Sequence, residues 1–471
     1  MATNGAEAVQ QPLPHRHVGV VGAGIAGLSA AIALRRAGWH VEVFEKSWSK
    51  NETGAAITVT PNAALVLARW GFDMETAGAV PNESRVLSLA SDPTVVLDKQ
   101  EYAGNEHDTW GYGVWSLHRV DLHRELRHLA TMSRGDIGAG PPVQIRLGCE
   151  VQGVDCEQGI LRMRDGQSII KDLIVIADGA HVSARGRKEH HVNLLTESLA
   201  QSHLISEVAG HPSKACRTGR SLYRWLVSME DVMREADLRE IYSRDRPGFV
   251  AFLDPDRDIF WMTYRCRGGK LLNIVVSHDT HLSHDEEGPW NLLVSSAQAL
   301  ATVEGSHGSL KKMVLMASED GIHYHHQYTR SPLTTFVRGR TLAVGDAAHV
   351  MKPTHAAGAG VAIESAAALE VLFRGVDSRN NQAMQQRLQM FDELRIPRCN
   401  LTMMASRGRR WLQEPGVEEE VRRFYSGPLP PPDAPPYSKA GREVLFHHDE
   451  YQAAEKLLAQ ALNPESRPTG G

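Results

Sequence analysis

The stretch His17-Val18-Gly19-Val20-Val21-Gly22-Ala23-Gly24-Ile25-Ala26-Gly27-Leu28 decides how the rest of this chain is read. His17–Val21 has the apolar, β-branched character of a buried strand. Ile25–Ala37 reads as an Ala/Leu-rich helix stopped at Gly38. His40–Glu45 alternates toward a second strand, and Glu45 falls 18 residues beyond Gly27. Each glycine has a separate task in such a β-α-β unit. Gly22 permits the tight turn, Gly24 lets backbone approach a pyrophosphate, and Gly27 allows the helix to pack close to the strand. The helix N-terminus offers unpaired N–H groups and partial positive charge to phosphates. Glu45 can accept from both hydroxyls of an adenosine ribose and would repel the extra phosphate of NADP. The unit therefore specifies FAD or NAD, and by itself does not choose between them.

Outward from this unit, composition sets the frame. The chain has 471 residues, of which 42% are hydrophobic and 23% charged, so a large core is available. With 51 basic and 56 acidic residues the formal charge is −5, which excludes the basic footprint of a nucleic-acid-binding protein. Five cysteines, none in a CxxC, exclude a disulfide framework or zinc ribbon and fit a reducing, cytoplasmic compartment. They read as inert small apolar residues. The uncharged run Val18–Leu34 superficially resembles a signal or short span, but its 17 residues are too short and too glycine-rich for one. A protein without a membrane span is expected.

The expected fold is α/β: a doubly wound, Rossmann-like domain with an inserted β-rich substrate domain and helical C-terminal segments. Residues 1–14 read as a disordered leader. The nucleotide domain takes 15–195, with a hairpin near 85–98 reaching into the substrate sheet. The substrate domain takes 196–335, and the nucleotide domain returns over 336–426. Within these, Gly54–Ile57 reads as loop before a helix at Pro61–Gly71, Gly288–Val303 as helical, and about Ser378 to Leu412 as one long helix. Residues 427–471 read as a Pro-rich linker (GPLPPPDAPPY) and a terminal helix.

Two further motifs follow apolar strands: Ile176-Ala177-Asp178-Gly179-Ala180-His181-Val182-Ser183-Ala184-Arg185, and Gly345-Asp346-Ala347-Ala348-His349 with Pro353 and Gly358 beyond it. The ordered trio GxGxxG…E, ADGxxSxxR and GDAAHxxxP resembles the FAD-dependent aromatic hydroxylases of the para-hydroxybenzoate hydroxylase fold. More narrowly, it is similar to the salicylate-hydroxylase-like monooxygenases of fungal natural-product pathways. Smaller pieces agree: Glu52–Ile57 with Pro61-Asn62-Ala63, His118-Arg119-Val120-Asp121-Leu122, Ser221–Leu226, and Met262–Arg265 followed by Gly268-Gly269-Lys270-Leu271-Leu272-Asn273.

The resemblance implies a single-component flavoprotein monooxygenase in which NADPH or NADH reduces the flavin only transiently. Oxygen would be transferred from a flavin C4a-hydroperoxide to an electron-rich phenol, indole or polyketide aromatic, by hydroxylation, dearomatisation or epoxidation. It implies that Glu45 holds the adenosine ribose, Ala56 lies against the flavin through its backbone, and Arg119 reaches the FAD phosphates. Asp346 would accept from ribityl hydroxyls. Pro353, Gly358 and Ala359 would pass beside the isoalloxazine, and Asp178 and Arg185 would serve the motif shared with the nicotinamide. Arg224 is the first catalytic candidate, since a cation can steady a phenolate or carboxylate, and Tyr264 the second. The implied partners are an aromatic small molecule and O2, with no nucleic acid, in a monomer or homodimer.

Ala357 and Ser365 depart from the Gln-Gly and Glu-Asp pairs common in such sequences. His355 in the same loop is either a pocket base or a solvated loop residue. The 23 histidines include the groups His190/His191, His323/His325/His326 and His447/His448, without HExxH-type spacing, so no metal is expected. A same-fold flavin oxidase or reductase, an NAD-dependent dehydrogenase and a non-catalytic flavin-binding scaffold remain open at this point.

Overall fold

The computed structural model describes residues 16–48, 55–102, 112–133, 140–179, 204–243, 247–281, 291–317, 321–408, 415–432, 434–435 and 438–462. The proposed leader, Arg185 and the His190/His191 pair lie outside them.

Among these residues a six-stranded sheet carries the nucleotide unit. Its order is Val337–Arg338, Thr341–Ala343, Leu173–Ile176, His17–Val21, His40–Glu45, Gln144–Leu147. All neighbouring pairs are parallel except the first. Leu173–Ile176 and Thr341–Ala343 are buried throughout, as expected of parallel strands covered on both faces. The chain leaves His17–Val21 toward His40–Glu45 on one side and returns through Leu173–Ile176 on the other. The glycine turn therefore sits where the strand order reverses, the crevice in which doubly wound sheets bind ligands.

An eight-stranded sheet forms the second unit. Its order is Asn291–Val294, Ile322–Thr329, Cys216–Ser228, Leu271–Asp279, Ile259–Cys266, Gly248–Asp254, Ser84–Leu89, Val96–Glu101. Alternation along Cys216–Ser228 sends Tyr223, Trp225 and Val227 into an apolar core shared with Leu238, Leu310 and Met313 of the covering helices. It sends Arg224 to the opposite face, toward the strand Ala56–Val59.

Several sequence expectations are corrected. Ala56–Val59 is a strand, not loop, because it pairs with Val114–His118. Gly288–Val303 was expected to be helical; its described part is a strand, Asn291–Val294, followed by a short helix, Ser296–Thr302, capped by Ser295. The long helix runs only from Asn381 to Ala405. The helix Leu204–Ala209 buries Leu204, Ile205 and Val208 in the nucleotide-domain core, and the chain re-enters the substrate sheet at Cys216. The Pro-rich stretch is not a free linker, since Ala434 is buried with Tyr264, Leu401 and Phe446 in a cluster between the units. The cysteines are not uniformly buried either: Cys216 is exposed and Cys149 half-buried. Burial pushes the Cys266 thiol up to about 12.

Buried charge fixes the C-terminal part. Glu364, on the helix Gly358–Leu372, accepts from Arg398 Nη2 at 2.7 Å, Arg395 Nη2 at 3.0 Å and Asn62 Nδ2 at 2.6 Å. Arg395 also pairs with Glu450, and Arg398 donates to the Val444 carbonyl at 2.6 Å. Two carboxylates and two guanidiniums thus neutralise one another inside the protein, as buried charges must.

Candidate active site

Three glycine-containing turns meet at the end of the parallel sheet. Gly22 has φ +101°, and a Cβ there would lie 2.4 Å from the Ala177 carbonyl, so the first turn abuts the residue before Asp178. A Cβ on Gly27 would lie 2.0 Å from the Gly22 carbonyl. Gly345 has φ +65°, and its Cβ would fall 2.5 Å from Ala26 Cβ. Asp346 therefore emerges, exposed, beside the first turn of the helix Ile25–Arg36. The described parts of the three sequence motifs are brought to one crevice.

Gly24 differs from these. Its backbone is ordinary (φ −72°), and a Cβ would meet nothing within 4 Å. The space above it is open, the helix it caps has no side-chain cap, and no acid stands in the first turn. That is a cradle left free for a phosphate. Glu45 Oε2 accepts from Ala23 N–H at 2.8 Å and Oε1 from Ser47 N–H at 2.9 Å, which aims the carboxylate while leaving lone pairs for hydroxyl donors. His123 Nε2 lies 2.7 Å from the Ala23 carbonyl and ties the helix Arg119–Thr131 to the same turn. These groups fit the dinucleotide end of FAD.

The far side of the crevice is the segment Pro353–Leu372. Pro353–His355 forms a short 3-10 turn, Ala356 is left-handed (φ +53°), and the helix starts at Gly358. A Cβ on Gly360 would lie 2.4 Å from Thr60 Oγ1, so this helix presses on the residue that follows the strand Ala56–Val59. Gly358 and Ala359 are half-buried, Pro353 exposed. His355 is buried, and burial pulls its imidazole down to about 4, leaving it neutral rather than solvated. Ala357 is buried, and Ser365 bonds the Val361 carbonyl at 3.0 Å and accepts from Arg395 at 3.1 Å, so both departures point into structure.

At the third wall, Arg224 Nη2 donates to the Ala56 carbonyl at 3.1 Å and Tyr264 OH donates to the same oxygen at 3.2 Å. Burial, tempered by Tyr264, lowers the Arg224 pKa, and the nearby Arg119 cation lowers it further. Burial raises that of Tyr264, so it remains a neutral donor. No carboxylate among the described residues pairs with Arg224. Arg119 stands at this wall, its N–H on the Ala55 carbonyl at 2.8 Å.

Sequence reading missed two groups. Asn273 Oδ1 accepts from Ala56 N–H at 3.1 Å. Arg330 is buried, donates to the Ala347 carbonyl, and lies in the field of Asp178 and Asp346, although burial outweighs them and lowers its pKa. Neither has a signature beyond its place at or near the end of a strand. Among the described residues one set of possible metal ligands, Glu364, His448 and Glu450, comes together, but both carboxylates are engaged by Arg395 and Arg398.

A doubly wound sheet with an open phosphate cradle, joined to a second sheet that offers a buried cation and phenol, defines a nucleotide-dependent redox enzyme. Comparison with known proteins narrows this. Residues 20–57 match an NAD(P)-binding Rossmann-like domain and residues 283–406 an FAD binding domain. The FAD-dependent monooxygenase cfoG of Aspergillus candidus is 28% identical, over 94% of each chain. Hispidin-3-hydroxylase of Neonothopanus nambi is 27% identical, over 94% of this chain and 96% of its own. A salicylate hydroxylase structure superposes with a TM-score of 0.68 at 20% identity, covering 94% of this chain and 98% of that one. The chain is thus similar to FAD-dependent monooxygenases over nearly its whole length and shares its fold with a salicylate hydroxylase. Its cofactor is FAD, and it is a flavin monooxygenase.

Proposed function

We propose that this enzyme uses NAD(P)H and O2 to insert one oxygen atom into an electron-rich aromatic small molecule bound as an oxyanion, in secondary metabolism. The observation that carries the reading is the convergence of Arg224 and Tyr264 on one point at the flavin-side face of the substrate sheet. FAD, when bound, supplies electron transfer from the nicotinamide and the activation of oxygen. The balance is one NAD(P)H, one O2 and one proton consumed, with one oxygen in the product and the other in water.

This chain's residues do the rest. The GxGxxG turn, Glu45, Asp178 and Asp346 hold the dinucleotide and its ribityl chain; Arg185, outside the described residues, is assigned with Asp178. Ala56, Pro353, Gly358 and Ala359 flank the ring. Arg224 binds the substrate oxyanion with N–H groups it does not give to Ala56, reinforced by Arg119, while Tyr264, its single O–H on the same Ala56 carbonyl, braces the guanidinium. Stabilising a phenolate in a low-dielectric pocket favours the ionised ring, which is the stronger nucleophile toward electrophilic oxygen. The guanidinium is fixed before substrate arrives, so little reorganisation is needed at the reaction.

The test is to release and identify the bound flavin, then supply NAD(P)H, isotopically labelled O2 and a panel of phenols. Released FAD and one labelled oxygen per product support the reading. Nicotinamide oxidation with only hydrogen peroxide formed across the panel would favour an oxidase.

A further inference from the structure

The backbone of Ala56 is gripped from three consecutive strands of the eight-stranded sheet. Arg224 on Cys216–Ser228 and Tyr264 on Ile259–Cys266 take its carbonyl, and Asn273 on the strand between them takes its N–H at 3.1 Å. Asn273 stands directly opposite Tyr264 on one neighbour and Leu226 on the other. It is fully buried, and its Nδ2 has no hydrogen-bond partner among the described residues. An orphaned amide donor is a cost that a leucine of similar volume would avoid. Packing alone therefore does not account for asparagine here.

We propose that Asn273 is a positioning residue. Its Oδ1 holds the Ala55–Ala56 peptide through the Ala56 N–H. Pinning that unit restricts the backbone torsions of Ala56, and so where its carbonyl, in the next peptide, points and holds the guanidinium and the phenol before substrate binds. It also sets how the first peptide of the strand Ala56–Val59 is presented to the flavin. This second consequence rests on the assignment of Ala56 as a flavin contact. The amide of residue 273 thus links the substrate sheet to the cofactor through one backbone unit, with no contact of its own to the reacting atoms.

The experiment measures FAD affinity of the apoprotein by quenching of flavin fluorescence, in wild type, Asn273→Asp, Asn273→Leu, Ala56→Pro and the double variant Asn273→Leu/Ala56→Pro. Uptake of FAD by the wild type tests the family assignment separately. Aspartate keeps the acceptor and should bind FAD within about two-fold of wild type. Leucine keeps the volume and loses the acceptor, and should bind about ten-fold more weakly. Ala56→Pro removes the same hydrogen bond from the other side; proline is tolerated at the first position of a strand. It should lose the same factor, and the double variant no more. Wild-type affinity in Asn273→Leu, equal losses in the aspartate and leucine variants, or additive losses in the double variant would each overturn the proposal. If Asn273→Leu does not fold, as judged by circular dichroism, Ala56→Pro against wild type decides: an unchanged affinity overturns it.

Discussion

Gly345 and Ala26 are packed so closely that a methyl group on the glycine would lie 2.5 Å from the alanine's own Cβ. This contact, more than any strand pairing, seats the GDAAH turn against the dinucleotide helix. Gly345→Ala should destabilise the protein by about 2–3 kcal/mol and lower its flavin content, because φ +65° strains any side chain and the methyl clashes. Adding Ala26→Gly relieves the clash but not the backbone strain. Thermal melts of the two single variants and the double should show partial recovery; none at all would mean the clash contributes nothing.

Asp346 is exposed at the mouth of this turn, so removing it should leave the fold intact. Asp346→Ala is expected to weaken FAD binding by about 10- to 100-fold, the worth of one or two charge-assisted hydrogen bonds. Retention of the full flavin load after dilution and gel filtration would remove Asp346 from the site.

Arg224 and Tyr264 share one acceptor and should act as a unit. Arg224→Lys and Tyr264→Phe should each slow oxygen transfer by about 10- to 1000-fold with flavin still bound, and the double variant should fall less than the product. Because burial raises the Tyr264 pKa above its ordinary value near 10, the loss in Tyr264→Phe should be constant from pH 6 to 9. A loss that vanishes at the alkaline end would mean that the phenol ionises in this range.

Burial alone would push the Glu364 carboxyl up, but Arg398 and Arg395 hold it well below the usual carboxylate range. A depressed folded pKa adds stability above the unfolded value near 4.3 that is lost only as pH falls through the folded value. Glu364 should therefore stay ionised through mild acid. Glu364→Gln leaves two buried guanidiniums short of a counter-charge and should cost about 3–5 kcal/mol. Urea denaturation measures it, and a cost below 1 kcal/mol would show that Glu450 and the neighbouring carbonyls suffice.

His278, His349 and His355 are each about 1% exposed. Burial pulls them to about 4, about 3 and about 4 respectively. Bases depressed in the folded state take up protons on unfolding between the folded values and the unfolded value near 6.5. Stability should thus fall as pH drops from 6.5 toward 4, by up to about 4 kcal/mol per pH unit near pH 5 if all three act together. Melting temperatures across this range check it; a flat profile would mean that these imidazoles are solvated.

The sequence itself carried the nucleotide domain and its motifs. His17–Val21, the glycine turn and Glu45 lie within 29 residues, where local rules operate: apolar periodicity, glycine at positive φ, and a helix N-terminus free of acids. The strands before Asp178 and Asp346 were legible for the same reason, each being apolar and wholly buried. What local rules cannot express is a meeting of distant residues. That Arg224, Tyr264 and Asn273 close on the carbonyl and the N–H of Ala56 depends on register across three strands. That Leu204–Ala209 and Ala434 belong to packed cores depends on which apolar faces remain uncovered once the sheets have formed. Arg330 reads as an unremarkable residue after a strand until Asp178, 152 residues before it, and Asp346 are both brought near it. Sequence determined the doubly wound dinucleotide unit and its glycine turn, because short-range backbone chemistry builds them; tertiary structure decided the geometry of the substrate wall, because only folding converts sequence separation into distance.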